Sequence, residues 1–145
     1  MPDPTDPSQP PPPSPEPEPI GASTSTGLPS NVAAAIACIP LVGGIIFYIL
    51  EKRDSFVRFY AMQSIIFGIA WIVFAIVYSI VHAILTNIPA IGFMFEIILG
   101  ITWALVWVAF LVVFIITIIK AFTGVRWDIP YIGPIARKQV EGSAP

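Results

Sequence analysis

Three stretches of this chain are almost unbroken by polar side chains: residues 31–50, 60–85 and 91–119. Each reaches the ~20 residues that a helix needs to cross a hydrocarbon core of ~30 Å. The second and third exceed that length, so they tilt or protrude. In lipid the backbone must satisfy its own hydrogen bonds, which favours helices. A β-barrel is the rival, but its strands alternate apolar with polar residues, and these runs are continuous. The pattern predicts an all-α chain, a three-helix transmembrane bundle over residues 31–139 with an interfacial C-terminal segment. Residues 140–145 are expected to be a flexible end.

The polar remainder is concentrated at the start. Residues 1–30 hold eleven prolines and no Lys or Arg. The stretch Pro10 to Pro19 reads as a polyproline II rod in a disordered tail. Its P-x-x-P patterns fit a ligand of an SH3-type domain or, more simply, a solvated spacer. The tail is no signal peptide, since no basic residue precedes position 52.

Composition agrees with a membrane protein: 56% of residues are hydrophobic, 11% are charged, and the mean hydropathy is +0.83. A soluble chain of 145 residues would leave much of that apolar surface facing water. The single cysteine, Cys38, excludes an intramolecular disulfide and reads as a small buried hydrophobe.

Charge placement predicts orientation. Lys52, Arg53 and Arg58 flank the first loop, and Lys120, Arg126, Arg137 and Lys138 follow the third run. With three spans all seven share one face, which the positive-inside rule makes cytoplasmic. The expected site is therefore the cytoplasmic membrane, multi-pass, with the N-terminus outside and the first loop and C-terminus inside. Phe56, Phe59, Tyr60 and Trp127 fall where an inner aromatic belt is expected, and Trp71 reads as a packing residue.

Candidate functional positions are few. Pro40 with Gly43 and Gly44 marks a kink in the first run, either a packing helix or a broken helix of the transporter kind. The pattern Ile-Pro-x-[Ile/Val]-Gly recurs at 39–43, 88–92 and 129–133. Its three settings differ, so it reads as three separate turn or kink signals. Small residues at i, i+4 (Ala33 and Ala37, Ser64 and Gly68, Gly100 and Ala104) allow close helix approach. His82 and Glu96 flank the short second loop as a solvated outer polar pair, with a proton relay or metal site as the alternative. Arg58, Gln63 and Ser64 form a polar ring at the inner interface and, with Tyr60, are the candidate contacts for lipid headgroups or a partner, the alternative being an ordinary snorkelling boundary.

No catalytic constellation, cofactor-binding motif or metal set is evident, and no nucleic-acid partner is expected. One histidine excludes a multi-histidine metal site within the chain. A Ser79–His82–Glu96 triad lacks its G-x-S-x-G turn.

Around the first loop, Ile39-Pro40-Leu41-Val42-Gly43-Gly44, Leu50-Glu51-Lys52-Arg53 and Phe56-Val57-Arg58-Phe59-Tyr60-Ala61-Met62-Gln63-Ser64 resemble a family of small bacterial and archaeal membrane proteins of unknown function. That family is similar to the Tic-type component of chloroplast protein import and to MamF-type magnetosome membrane proteins. The W-x-x-P-x-I-G pattern from Trp127 to Gly133 matches its closing motif. The family usually carries His where this chain has Tyr60. The resemblance implies a helical membrane domain, no established enzymatic activity, and a link either to a translocation channel or to organising a membrane compartment. The expected function is a non-enzymatic scaffold or accessory component that contacts the bilayer, other copies or a membrane protein partner. An oligomeric channel or translocon-like subunit is the alternative, and a membrane enzyme the third reading.

Overall fold

The computed structural model describes residues 24–142, and within them the chain is helical. The proline-rich stretch and the last three residues lie outside the described residues. Five helices follow in order: α1 (Ser30–Ala37), α2 (Val42–Leu50), α3 (Ser55–Thr86), α4 (Gly92–Phe122) and α5 (Ile132–Gly142).

Two of them, α3 and α4, are long and apolar enough to cross a membrane. At 1.5 Å per residue, the 32 residues of α3 run about 48 Å. Its start is set by Asp54, whose carboxylate accepts from the backbone N–H groups of Phe56 and Val57. That cap adds a turn ahead of the apolar run, which is why α3 begins at Ser55 rather than Tyr60.

The expected first span over 31–50 is not one helix. It is the eight-residue α1 and the nine-residue α2, separated by Cys38–Leu41. Pro40 supplies no N–H, and Leu41 takes φ 62° and ψ −66°. With Val42 N donating to Pro40 O at 2.8 Å, this is a γ-turn of the rarer hand. The chain reverses there. Ser25 N then lies 2.7 Å from a Glu51 carboxylate oxygen, and Ser30 Oγ donates to Asp54. The start of α1 and the end of α2 therefore meet, and the pair is a helical hairpin.

The three Ile-Pro-x-[Ile/Val]-Gly segments share one geometry. Their x residues, Leu41, Ala90 and Tyr131, all have positive φ, at 62°, 69° and 68°. In each case a helix begins at the next residue or the one after. Each motif glycine also presses on the segment before it. An added Cβ would come within 2.4 Å of Ile36 O at Gly43, 2.1 Å of Thr86 O at Gly92, and 2.4 Å of Asp128 Cβ at Gly133. Proline closes the preceding segment, the left-handed residue turns the chain, and glycine lets the next helix start in contact. Three independent kink signals are thus one recurring turn.

Packing is uneven along the two long helices. The buried residues of α3 are Phe56, Val57, Phe59, Tyr60, Ala61, Gln63, Ser64 and Gly68, all in its first half. Around them sit α1, α2, α5 and the end of α4. Phe56, Phe59 and Tyr60 are core residues rather than an aromatic belt, each 3% exposed or less. Beyond Gly68, α3 and α4 form an arm joined mainly by rings. Trp71 lies 4.3 Å from Phe110 and 5.6 Å from Trp103, and Tyr78 lies 4.7 Å from Trp103. Trp71 is a packing residue, and the remaining arm surface is open and apolar.

Candidate functional site: the clamped end of α3

The first turns of α3 are gripped from two sides. On one side Gly44 packs so closely that an added Cβ would lie 2.7 Å from Ala61 O. The hairpin tip follows: Ser64 Oγ donates to Ile39 O at 2.9 Å, and Leu41 covers Gly68. Gly43 and Gly44 are buried in this contact, and Pro40 is half-buried in the turn ahead of them.

On the other side runs the segment after α4. Tyr60 Oη donates to Val125 O at 2.5 Å and accepts from Trp127 N at 3.1 Å. The Gln63 amide continues the pairing, with Nε2 donating to Trp127 O at 3.3 Å and Oε1 accepting from Ile129 N at 3.4 Å. Tyr60 and Gln63 satisfy four backbone groups of a segment that has no helix of its own. Position 60 is thus a two-way hydrogen-bonding post, a task open to tyrosine and histidine alike. Ile132 then sits with Phe67, Trp71 and Phe110, and α5 returns along α3.

The outer edge of this end carries the charges. Glu51 is fully buried and accepts from Ser25 N, Ser25 Oγ, Arg53 N and Asp54 N at 2.7–3.0 Å. Burial alone would raise its carboxyl pKa, but the bonds from Asp54, Arg53 and Ser25 outweigh it and hold the group below the ordinary value. Arg58 lays its guanidinium 5.0 Å from the Tyr48 ring centroid, and its Nε has no hydrogen-bond partner. Arg137 pairs with Asp128 at 2.7 Å, and Arg126 donates to Ser55 Oγ at 2.7 Å. Of the four residues named for partner or lipid contact, Tyr60, Gln63 and Ser64 are buried and bonded internally. Arg58 alone is partly exposed.

His82 and Glu96 meet at the far end of the arm, Nε2 to Oε2 at 3.4 Å. His82 borders an open cleft of about 330 Å³ whose walls include Tyr78, Ser79, Gly100 and Trp103. Ser79 Oγ donates to Ala75 O of its own helix rather than to His82. No group of three or more His, Cys, Asp or Glu side chains is clustered among the described residues.

The profile of the MamF/MmsF family, described as the magnetosome magnetite crystal formation protein family, matches residues 23–136. The chain belongs to that family. The match runs from the residues that meet Glu51 to the buried Ala136, so the gripped end and the arm together are the MamF/MmsF unit. Two UPF0132 membrane proteins of Methanocaldococcus jannaschii are similar. One is 37% identical over 79% of this chain and 92% of its own length, and the other 32% identical over 77% and 71%. A UPF0132 membrane protein of Archaeoglobus fulgidus is 31% identical over 79% of this chain and 99% of its own. No solved structure matches.

Proposed function

We propose that this MamF/MmsF protein is a non-enzymatic scaffold of the cytoplasmic membrane that associates with copies of itself through the arm. The supporting observation is how the small residues are used. Ala33 and Ala37 are buried on α1 within the hairpin, and Ser64 and Gly68 hold its tip. Gly100 and Ala104 instead are exposed on α4, Gly100 at the open cleft beside Tyr78, and a Cβ built at Gly100 meets nothing within 4 Å. An i, i+4 small pair that a chain leaves open on a lipid-facing helix lets a second helix approach closely. The polar groups of the gripped end favour structure over chemistry, because Tyr60, Gln63 and Ser64 are committed to backbone partners.

The family's description concerns crystal formation in magnetosomes. The Lys and Arg residues gather at the gripped end, and the positive-inside rule puts that end in the cytoplasm.

Mass measurement in nanodiscs tests the reading. The intact protein is expected to give homo-oligomers, and Gly100→Leu to give monomers without loss of helix content. A monomer at every loading, with no co-purifying membrane protein, would overturn it.

A further inference from the structure

We infer that the α1–α2 hairpin dips into one leaflet of the bilayer and leaves by the face it entered. The protein then crosses the membrane twice, and its N-terminal tail lies on the same side as all seven Lys and Arg. This differs from the three-span path that the three apolar runs imply.

The two ends of the hairpin fix the path. Ser25 holds Glu51 through both its N–H and its hydroxyl, and Ser30 holds Asp54. Asn31 Nδ2 donates to Phe122 O at the end of α4. The first described residues therefore lie beside the first loop and the end of α4. They are not at the Asn87 end of α3, where a crossing helix would have begun.

The reach of the hairpin fits one leaflet. Helices of eight and nine residues are about 12 and 14 Å long, under half of a ~30 Å core. The tip meets Ser64 and Gly68, and Gly68 lies eight residues, about 12 Å, along α3 from Tyr60, where its apolar run begins, so the tip stops short of the middle of a ~30 Å core.

Its surface calls for acyl chains. Val42 is 64% exposed, Ile49 62% and Leu50 54%, and Ile45 and Ile46 are also open. Such a patch is out of place in water and continuous with the lipid-facing side of α3. Non-helical backbone at depth must be satisfied by protein. Here Ile39 O accepts from Ser64 Oγ and from Gly44 N, Val42 N donates to Pro40 O, and Pro40 has no N–H to satisfy. The polar residues Ser25, Ser30, Glu51 and Asp54 sit only at the mouth. Moving the tail costs nothing under the positive-inside rule, which counts Lys and Arg and gives acidic groups little weight.

Single cysteines test the path in a Cys38→Ala background, placed at Ser14, Lys52, Asn87 or Ser143. Each is probed with a membrane-impermeant maleimide in intact and in permeabilised cells. Ser14 is expected to react in the same preparation as Lys52 and Ser143, and Asn87 in the other. Reaction of Ser14 together with Asn87 would overturn the two-span path. A spin label at Ile46→Cys tests the insertion separately. Broadening by oxygen above that by an aqueous nickel chelate supports the leaflet position, and the reverse order places the hairpin in water and sinks it.

Discussion

The two halves of α3 lie in one helix but are held by different forces. Up to Gly68 the helix touches four other segments through close backbone approach and buried hydrogen bonds. Beyond Gly68 it touches α4 through rings, such as Trp71 against Phe110 at 4.3 Å and Phe74 parallel to Trp103 at 6.1 Å between centroids. The first arrangement has little tolerance, because a glycine against a carbonyl cannot grow and an orphaned N–H cannot find water. The second is made of large adaptable surfaces with lipid on the other side. Equivalent substitutions in the two halves should therefore differ in cost.

The widest gap is expected between two glycines. At Gly44 a longer side chain meets Ala61 O and Ile65, so Gly44→Leu must pry α2 from α3. Overpacking of this kind costs about 2 to 3 kcal/mol. At Gly100 the space is empty, and Gly100→Leu should leave the fold of a single chain unchanged while removing self-association. Unfolding of both variants by SDS titration in mixed micelles reads the difference. Equal losses would mean that the gripped end is no tighter than the arm.

Two tyrosines sharpen the comparison at a smaller scale. Tyr60 Oη serves Val125 O and Trp127 N, which lie in a segment without helical bonds of their own. Tyr60→Phe orphans both and should cost about 1 to 3 kcal/mol. Tyr78 Oη donates to Leu99 O, a carbonyl inside α4 that its own helix already serves. Tyr78→Phe should cost about 0.5 kcal/mol, typical of side-chain bonds in lipid. Tyr60→His in the same titration is expected to recover part of the Tyr60→Phe loss, since an imidazole can still both donate and accept.

The difference between the halves also marks what was readable in the chain. The arm was legible, because continuous apolar runs at 60–85 and 91–119 match α3 and α4 within a few residues at most ends. The largest miss, at the start of α3, came from the cap at Asp54. The gripped end was legible in its parts and not in its assembly. Residues 31–50 have the length of a span, and length alone says nothing about a reversal inside it. The signal lay in the thrice-used Ile-Pro-x-[Ile/Val]-Gly pattern. At 88–92 and 129–133 it plainly begins a new helix, and the same reading at 39–43 would have split the first run. The buried roles of Tyr60, Gln63 and Ser64 depend on a partner segment sixty residues away for the first two and on the hairpin tip for the third. A polar face at a helix boundary does not reveal either.

The smallest expected contrast is between two glutamates, and it depends on pH. Glu51 is held below its ordinary carboxyl pKa in the folded chain by its bonds to Ser25, Arg53 and Asp54. A depressed folded pKa means the stabilisation is present above the unfolded value and is lost as pH falls through the folded one. Glu51→Gln should therefore cost about 1 to 2 kcal/mol at pH 7, and the gap to the unaltered chain should close on acidification. The mouth of the hairpin should loosen in the same acid range, read as faster hydrogen exchange at the Ser25, Arg53 and Asp54 amides, the three N–H groups that Glu51 holds. Glu96 has a side chain 57% exposed and faces His82 at 3.4 Å. An open pair of that kind contributes under about 1 kcal/mol. Glu96→Gln should thus barely move the unfolding midpoint, and exchange at the hairpin mouth should not follow it. A Glu96 effect as large as that of Glu51 would show that the arm, too, is fastened at its end by charge and not by rings alone.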